Sequence, residues 1–361
     1  MNQNWYYTRI SNIAKEYANE VIAKNHFTSG LYTEKLENEL AKIIGKKYCI
    51  YYNSGTSAIT ASCIALGLNR SKKIGIPGVG WIATAQAAVF CGAEVIVTDV
   101  QKDKPIVDID SLENINFKFD AYIPVNYNGH QVDINKLREV LGNDTVIIED
   151  SCKSFFSKGF NNNLYSGVLG DIGCFSTGMI SMLPGIYGGI AVTDNLEIAK
   201  KLRRIKFHGV ENNDGIDLYK DRSFNFKTSE INAAISFGML DCVQERINRL
   251  NFIYSLYESG LRDLINFKLV KIDINKGELP LLIDIMVLER KKIIQILNNK
   301  NIPTCNYHSS LGNATYLSKL NQLPNSKRFA DNVFHPPCGA DQELPLIYKT
   351  IEEIRFIDTY I

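Results

Sequence analysis

The stretch "YYNSGTSAIT", residues 51–60, runs from β-forming residues through small ones into a helical pattern. Such a turn leaves the first backbone N–H groups of a helix free, and the helix dipole there favours an anion. Gly55 lets a ligand come close to the backbone, and the Thr56 and Ser57 hydroxyls can add donors. This suggests phosphate binding. A helix cap with no ligand explains the same ten residues equally well. A second feature is the acidic pair Glu149–Asp150, which closes the apolar run "TVIIED". Neighbouring side chains on a strand point opposite ways, so the two acids serve different surroundings.

Both features need a scaffold, and the flanking pattern supplies one. "YCIYY", "KIGIPG", "AEVIVTDV", "AYIPVNYNG", "TVIIEDS", "IGCFST" and "GGIAVTD" read as short strands. "EKLENELAKIIG", "TSAITASCIALG", "ATAQAAVFCG" and "DINKLREVLG" read as helices between them. Strands alternating with helices predict an α/β domain with a mostly parallel sheet. A long helical run starts near residue 229. "ELPLLIDIMV", "KKIIQILNNKNI" and "TIEEIRFIDTYI" then suggest a smaller α+β unit. The expected division is residues 1–240 for the large domain and 241–361 for the small one. Asn161–Asn163 and the Asn/Asp cluster at 212–214 read as polar loops.

Composition narrows the function. The 361 residues are 45% apolar and 22% charged, with 40 basic and 39 acidic side chains, a net +1. That balance gives no basic stripe for nucleic acid and no polybasic membrane anchor. No run of eighteen apolar residues occurs, so no spanning helix is expected. "MNQNWYYTRI" has no apolar core of a secretory leader. The eight cysteines show no CxxC spacing and several sit in apolar runs, which argues for buried free thiols in a reducing cytoplasm. No metal site is expected.

Six stretches occur in order: "NSGTSAI", "GWIATAQAAVFCGAEVIVTDV", "IPVNYNGH", "IIEDS", "GDIGCFS" and "NFKTSEINAA". Together they resemble the nucleotide-sugar aminotransferases of the DegT/StrS type. These are pyridoxal-phosphate (PLP) enzymes of fold type I. The resemblance runs from about Ser29 to Ile361 and is strongest between 50 and 235. It implies a fold-type I body, with a mostly parallel sheet between helices. It implies PLP or pyridoxamine phosphate (PMP) as cofactor, a nucleotide-linked sugar as substrate, and a place in lipopolysaccharide or capsule synthesis. It also implies site residues. Gly55, Thr56 and Ser176 would hold the cofactor phosphate. Trp81 would stack on the pyridine ring, though its apolar neighbours also suit a core residue. Asp150 would pair with the ring nitrogen, the acid that makes the ring an electron sink. Its plainer reading is a helix cap, and Glu149 reads as structural. Asn225 would reach the phosphate of a neighbouring subunit, so a homodimer with shared sites is expected.

One residue of the resemblance is absent. The Schiff-base lysine should lie five residues after the serine of "FS", and that position is Ser181. Gly188 and Gly189 align with the closing glycine pair without a gap, and no lysine lies between Lys158 and Lys200. Serine cannot hold the cofactor covalently, be displaced by an amine, or shuttle the proton. Loss of the proton shuttle alone is worth about 10²–10⁴-fold in rate. A glutamine expected near the ring hydroxyl is replaced by Lys153. Lys153 can neutralise the phenolate or act as a displaced base, although a solvated or phosphate-facing lysine is the plainer reading. Three functions follow: a sugar aminotransferase with a rearranged base, a PMP-dependent sugar dehydratase that needs no lysine, or a non-catalytic binding or scaffold protein. The retained acid and aromatic favour an enzyme that holds cofactor.

Overall fold

A computed structural model describes residues 4–113, 115–159 and 164–361. The expected loop at 161–163 lies outside these residues. Helices α1 (Asn12–Lys24) and α2 (Leu31–Ile44) precede the first strand, β1 (Tyr48–Tyr52). Then come α3 (Gly55–Ala65), β2 (Lys73–Pro77), α4 (Ala83–Phe90), β3 (Glu94–Thr98), β4 (Ala121–Tyr122), α5 (Ile134–Leu141) and β5 (Val146–Asp150). Next are β6 (Ile172–Ser176), β7 (Gly189–Thr193), α6 (Leu196–Lys206) and the hairpin of β8 (Val210–Asn213) with β9 (Ile216–Tyr219). The chain continues through α7 (Glu230–Met239), α8 (Val243–Leu261), β10 (Lys268–Leu269), β11 (Ile285–Met286) and α9 (Arg290–Asn299). It ends with β12 (Ser318–Lys319), α10 (Pro324–Asn332), β13 (Val333–Phe334) and α11 (Leu344–Asp358).

The main sheet has eight strands in the order β1-β7-β6-β5-β4-β2-β3-β12. From β6 to β12 all neighbours are parallel, while β7 runs antiparallel to both β1 and β6. This is the α/β architecture expected from the alternating pattern. The strands are apolar almost throughout because helices cover both faces of the sheet. Alternation then sorts neighbouring residues. Tyr52 and Ala191 pack into a core with Ile59 and Leu202 on one face. Tyr51 and Ile190 pack with Leu36, Leu40 and Tyr254 on the other.

Two further details concern the second half of the chain. The helical run from 229 is broken by a 3₁₀ turn at Leu240–Cys242 into α7 and α8. The C-terminal region is also tied into the main sheet, since β12 pairs with β3. A separate three-stranded sheet, β10-β11-β13, carries the rest of that region. All eight cysteines are free, and Cys49, Cys63, Cys174 and Cys338 are buried. Among the described residues, no helix is long and apolar enough to cross a membrane.

Candidate functional site

The first turn of α3 lies beside the ends of β6 and β7. Ser54 caps the helix by accepting from the Ser57 N–H at 3.0 Å. The Gly55 and Thr56 N–H groups, in the first turn, have no intrahelical acceptor. Gly55 leaves room that a side chain would take: a Cβ would crowd Cys152 Sγ at 2.9 Å and Ser176 Cβ at 3.2 Å. Ser57 corrects an expectation. Its hydroxyl donates to Asn53 Oδ1 at 2.5 Å and contacts Ser54 Oγ at 2.8 Å, so it completes the cap. Thr56 stays exposed. Ser176, the last residue of β6, accepts from the Gly178 N–H at 3.2 Å and keeps its own proton to donate.

β5 delivers Asp150 from the next strand over. The residue is 5% exposed. Its Oδ2 accepts from Thr84 Oγ1 at 2.6 Å, and its Oδ1 accepts from the Cys152 N–H at 3.1 Å. Each oxygen retains a lone pair for a further donor. Glu149 points the other way, as strand alternation predicts. It accepts from Asn126 Nδ2 and from the N–H groups of Gly167, Leu169 and Gly170 at 2.6–3.0 Å. It therefore secures a loop.

Gly55, Thr56, Trp81, Asp150, Lys153 and Ser176 line one cavity of about 180 Å³. Trp81 is 51% exposed, so it is no core residue. Its ring stacks on Tyr307 at 5.4 Å between centroids and 16° between planes. Lys153 Nζ donates to the Ile180 carbonyl at 2.6 Å and lies 5.0 Å from the Tyr307 ring centroid. Burial pulls its amine down to about 8, with Cys152 and Asp150 opposing.

Ser181 and Asn225 do not line this cavity. Ser181 is buried, and its hydroxyl donates to the Gly178 carbonyl at 2.7 Å. Asn225 is exposed, and its Oδ1 accepts from the Lys227 N–H at 3.3 Å. A larger groove of about 1200 Å³ runs between residues 7–15 and the start of α8, and holds none of the predicted residues.

Several wall residues escaped the sequence reading. Tyr307 and His308 arrive from the C-terminal region, Tyr127 from a 3₁₀ turn at Tyr127–Gly129 and Tyr187 from the segment before β7. His308 packs edge-on to Tyr127 at 5.0 Å, and burial holds its imidazole well below the usual range. Nothing in "CNYHSS" marks it locally, because its setting comes from residues far away in sequence. The finished wall offers an anion cradle, a carboxylate held by two donors, and aromatic faces. A flat cationic ring with a phosphate tail matches that donor set.

A family model described as the DegT/DnrJ/EryC1/StrS aminotransferase family matches residues 9–354. A relative, the uncharacterised protein MJ1066 of Methanocaldococcus jannaschii, is 27% identical over 312 residues, 81% of this chain and 80% of that protein. The fold is similar to that of Helicobacter pylori PseC, an aminotransferase in pseudoaminic acid biosynthesis, at TM-score 0.91 and 18% identity, covering 100% of both chains. It is also similar to that of the E. coli GDP-4-keto-6-deoxy-D-mannose-3-dehydratase with bound hydrated PLP, at TM-score 0.87 and 21% identity, covering 98% of this chain and 99% of the other.

Proposed function

The chain belongs to the DegT/DnrJ/EryC1/StrS aminotransferase family, and from that premise we propose that it is a PLP- or PMP-dependent enzyme acting on a nucleotide-linked keto-sugar. The observation that carries this is Asp150. A buried carboxylate, held by Thr84 and the Cys152 N–H, lines the cavity that the first turn of α3 also lines. Burying a carboxylate is costly unless a partner compensates it, and a protonated ring nitrogen is such a partner.

When bound, the cofactor supplies an electron sink for charge developing at the carbon next to the amino nitrogen. Asp150 would hold the proton on the ring nitrogen. The N–H groups of Gly55 and Thr56, with the Thr56 and Ser176 hydroxyls, would hold the phosphate. Trp81 would cover the ring and exclude water. The family's similar folds include both an aminotransferase and a 3-dehydratase, so the product decides the reaction class. Cell-surface polysaccharide synthesis is the setting this substrate class fits.

The test is equilibrium dialysis with PLP and PMP, followed by mass spectrometry of products from GDP-, UDP- and dTDP-linked 4-keto-sugars. Asp150→Ala should weaken PMP binding by about two to three orders of magnitude, the usual effect of breaking a buried ionic pair. Unchanged affinity would reduce Asp150 to a helix cap. A protein that binds neither form of the cofactor would be a scaffold.

A further inference from the structure

The segment joining β6 to β7 passes beside the cavity without placing an amine in it. Ser181 is buried there, with its hydroxyl committed to Gly178. An amine arrives from the other wall instead. Lys153 lies three residues past Asp150, and its Nζ ends on the carbonyl of Ile180, one residue before Ser181. Lys153 supplies the one primary amine on the cavity wall among the described residues. A carbonyl and an aromatic face meet this amine, and no described carboxylate forms an ion pair with it. An ion pair would favour the protonated form, which is not nucleophilic.

We propose that Lys153 forms the imine with the aldehyde of the cofactor, in place of the lysine absent at position 181. The proposal rests on the cofactor reading above. Neutral Nζ adds to the aldehyde carbon and a C–N bond forms. The resulting carbinolamine loses its hydroxyl as water, with a proton from nitrogen, and leaves C=N. No electrons are gained or lost, so no oxidant or reductant is needed. An amine donor can displace Lys153 by the same exchange in reverse. The Ile180 carbonyl holds the amine at the cavity edge and gives it a resting partner once displaced. The environment favours the reactive form too. With its amine drawn down to about 8, about a tenth of Lys153 is neutral at pH 7. For an ordinary lysine the fraction is below about one in a thousand.

The test uses the full chain and two variants, Lys153→Arg and Lys153→Ala. Each is equilibrated with PLP, assayed for bound PLP by dialysis, then reduced with borohydride and peptide-mapped by mass spectrometry. Circular dichroism confirms that the variants fold. The wild type should carry one borohydride-fixed PLP per chain on the peptide containing Lys153, with visible imine absorbance before reduction. Lys153→Arg keeps the charge and a donor for Ile180 but cannot form an imine, so it should bind PLP without label or imine absorbance. PLP retained by the wild type with no label on Lys153 overturns the assignment and leaves the cofactor reading standing. So does undiminished imine absorbance in Lys153→Arg. Failure to bind PLP overturns the assignment, and failure to bind PMP as well overturns the cofactor reading.

Discussion

Asp150 owes its aim to Thr84, whose hydroxyl reaches it from the first turn of α4 at 2.6 Å. Hydrogen bonds to charged groups are worth about 1.5–3 kcal/mol. Thr84→Val keeps the shape and removes the donor. It should weaken PMP binding by about tenfold in dialysis, less than Asp150→Ala, because the Cys152 N–H still holds the other oxygen. Equal losses in the two variants would mean that Thr84 holds the fold of the site rather than the direction of one carboxylate. Lys153 yields a prediction with a sign. Its amine is protonated below about 8 and neutral above. The initial rate of imine formation with PLP should therefore rise roughly tenfold from pH 6 to pH 7 and level off above about pH 8. A rate still climbing steeply at pH 10 would mark an ordinary surface lysine.

Strand β7 supports the anion cradle from below. Gly189 is paired with Tyr52 of β1 and with Ser176 of β6, so it sits between the two strands that lead into the site. A Cβ at Gly189 would run into the Ser54 carbonyl and the Gly55 nitrogen. These are backbone atoms and cannot rotate away. Gly189→Ala must therefore push the turn before α3 out of place. The expected cost is about 1–3 kcal/mol of stability, the usual range for overpacking. It should appear as a lower urea midpoint with an unchanged slope. PMP affinity should fall as well, since the displaced turn carries the N–H groups proposed to hold the phosphate. Loss of stability with full PMP affinity would show that the cradle does not depend on this strand.

The exposed surface around Asn225 bears on the whole assembly. Its side chain is satisfied only locally and lies off its own cavity wall. In the same stretch of chain, Ile216, Tyr219 and Phe224 are 66%, 80% and 62% exposed. Exposed apolar side chains gain by being covered. A homodimer that brings Asn225 to the phosphate site of the partner would account for both features. Sedimentation at micromolar concentration should show a dimer. Asn225→Ala and Asp150→Ala, each weak in PMP binding alone, should regain binding when mixed and refolded together, at one of the two sites of each mixed dimer. A monomer that binds PMP fully, or mixtures no better than the separate variants, would rule out a shared site.

Local chemistry was enough to read much of this molecule. Apolar runs of five residues and helical spacing located β1, β2, β3, β5, β6 and β7 and helices α2 to α5, because both signals depend on near neighbours. Strand alternation separated Asp150 from Glu149 for the same reason. The turn at Gly55 was legible as a helix start because its small residues suit a cap. Tertiary structure decided the rest. It turned the Ser57 hydroxyl into the cap, left Trp81 half exposed against Tyr307, and brought Tyr307 and His308 to a wall built mostly from residues before 190. It also stitched β12 to β3 and placed the tip of Lys153 on Ile180. A long side chain has many rotamers of similar local energy, and only packing between distant segments selects one. The pattern of residues shows that a lysine is absent from one loop and present near Asp150. Only the folded chain shows that this lysine reaches the loop that lacks one.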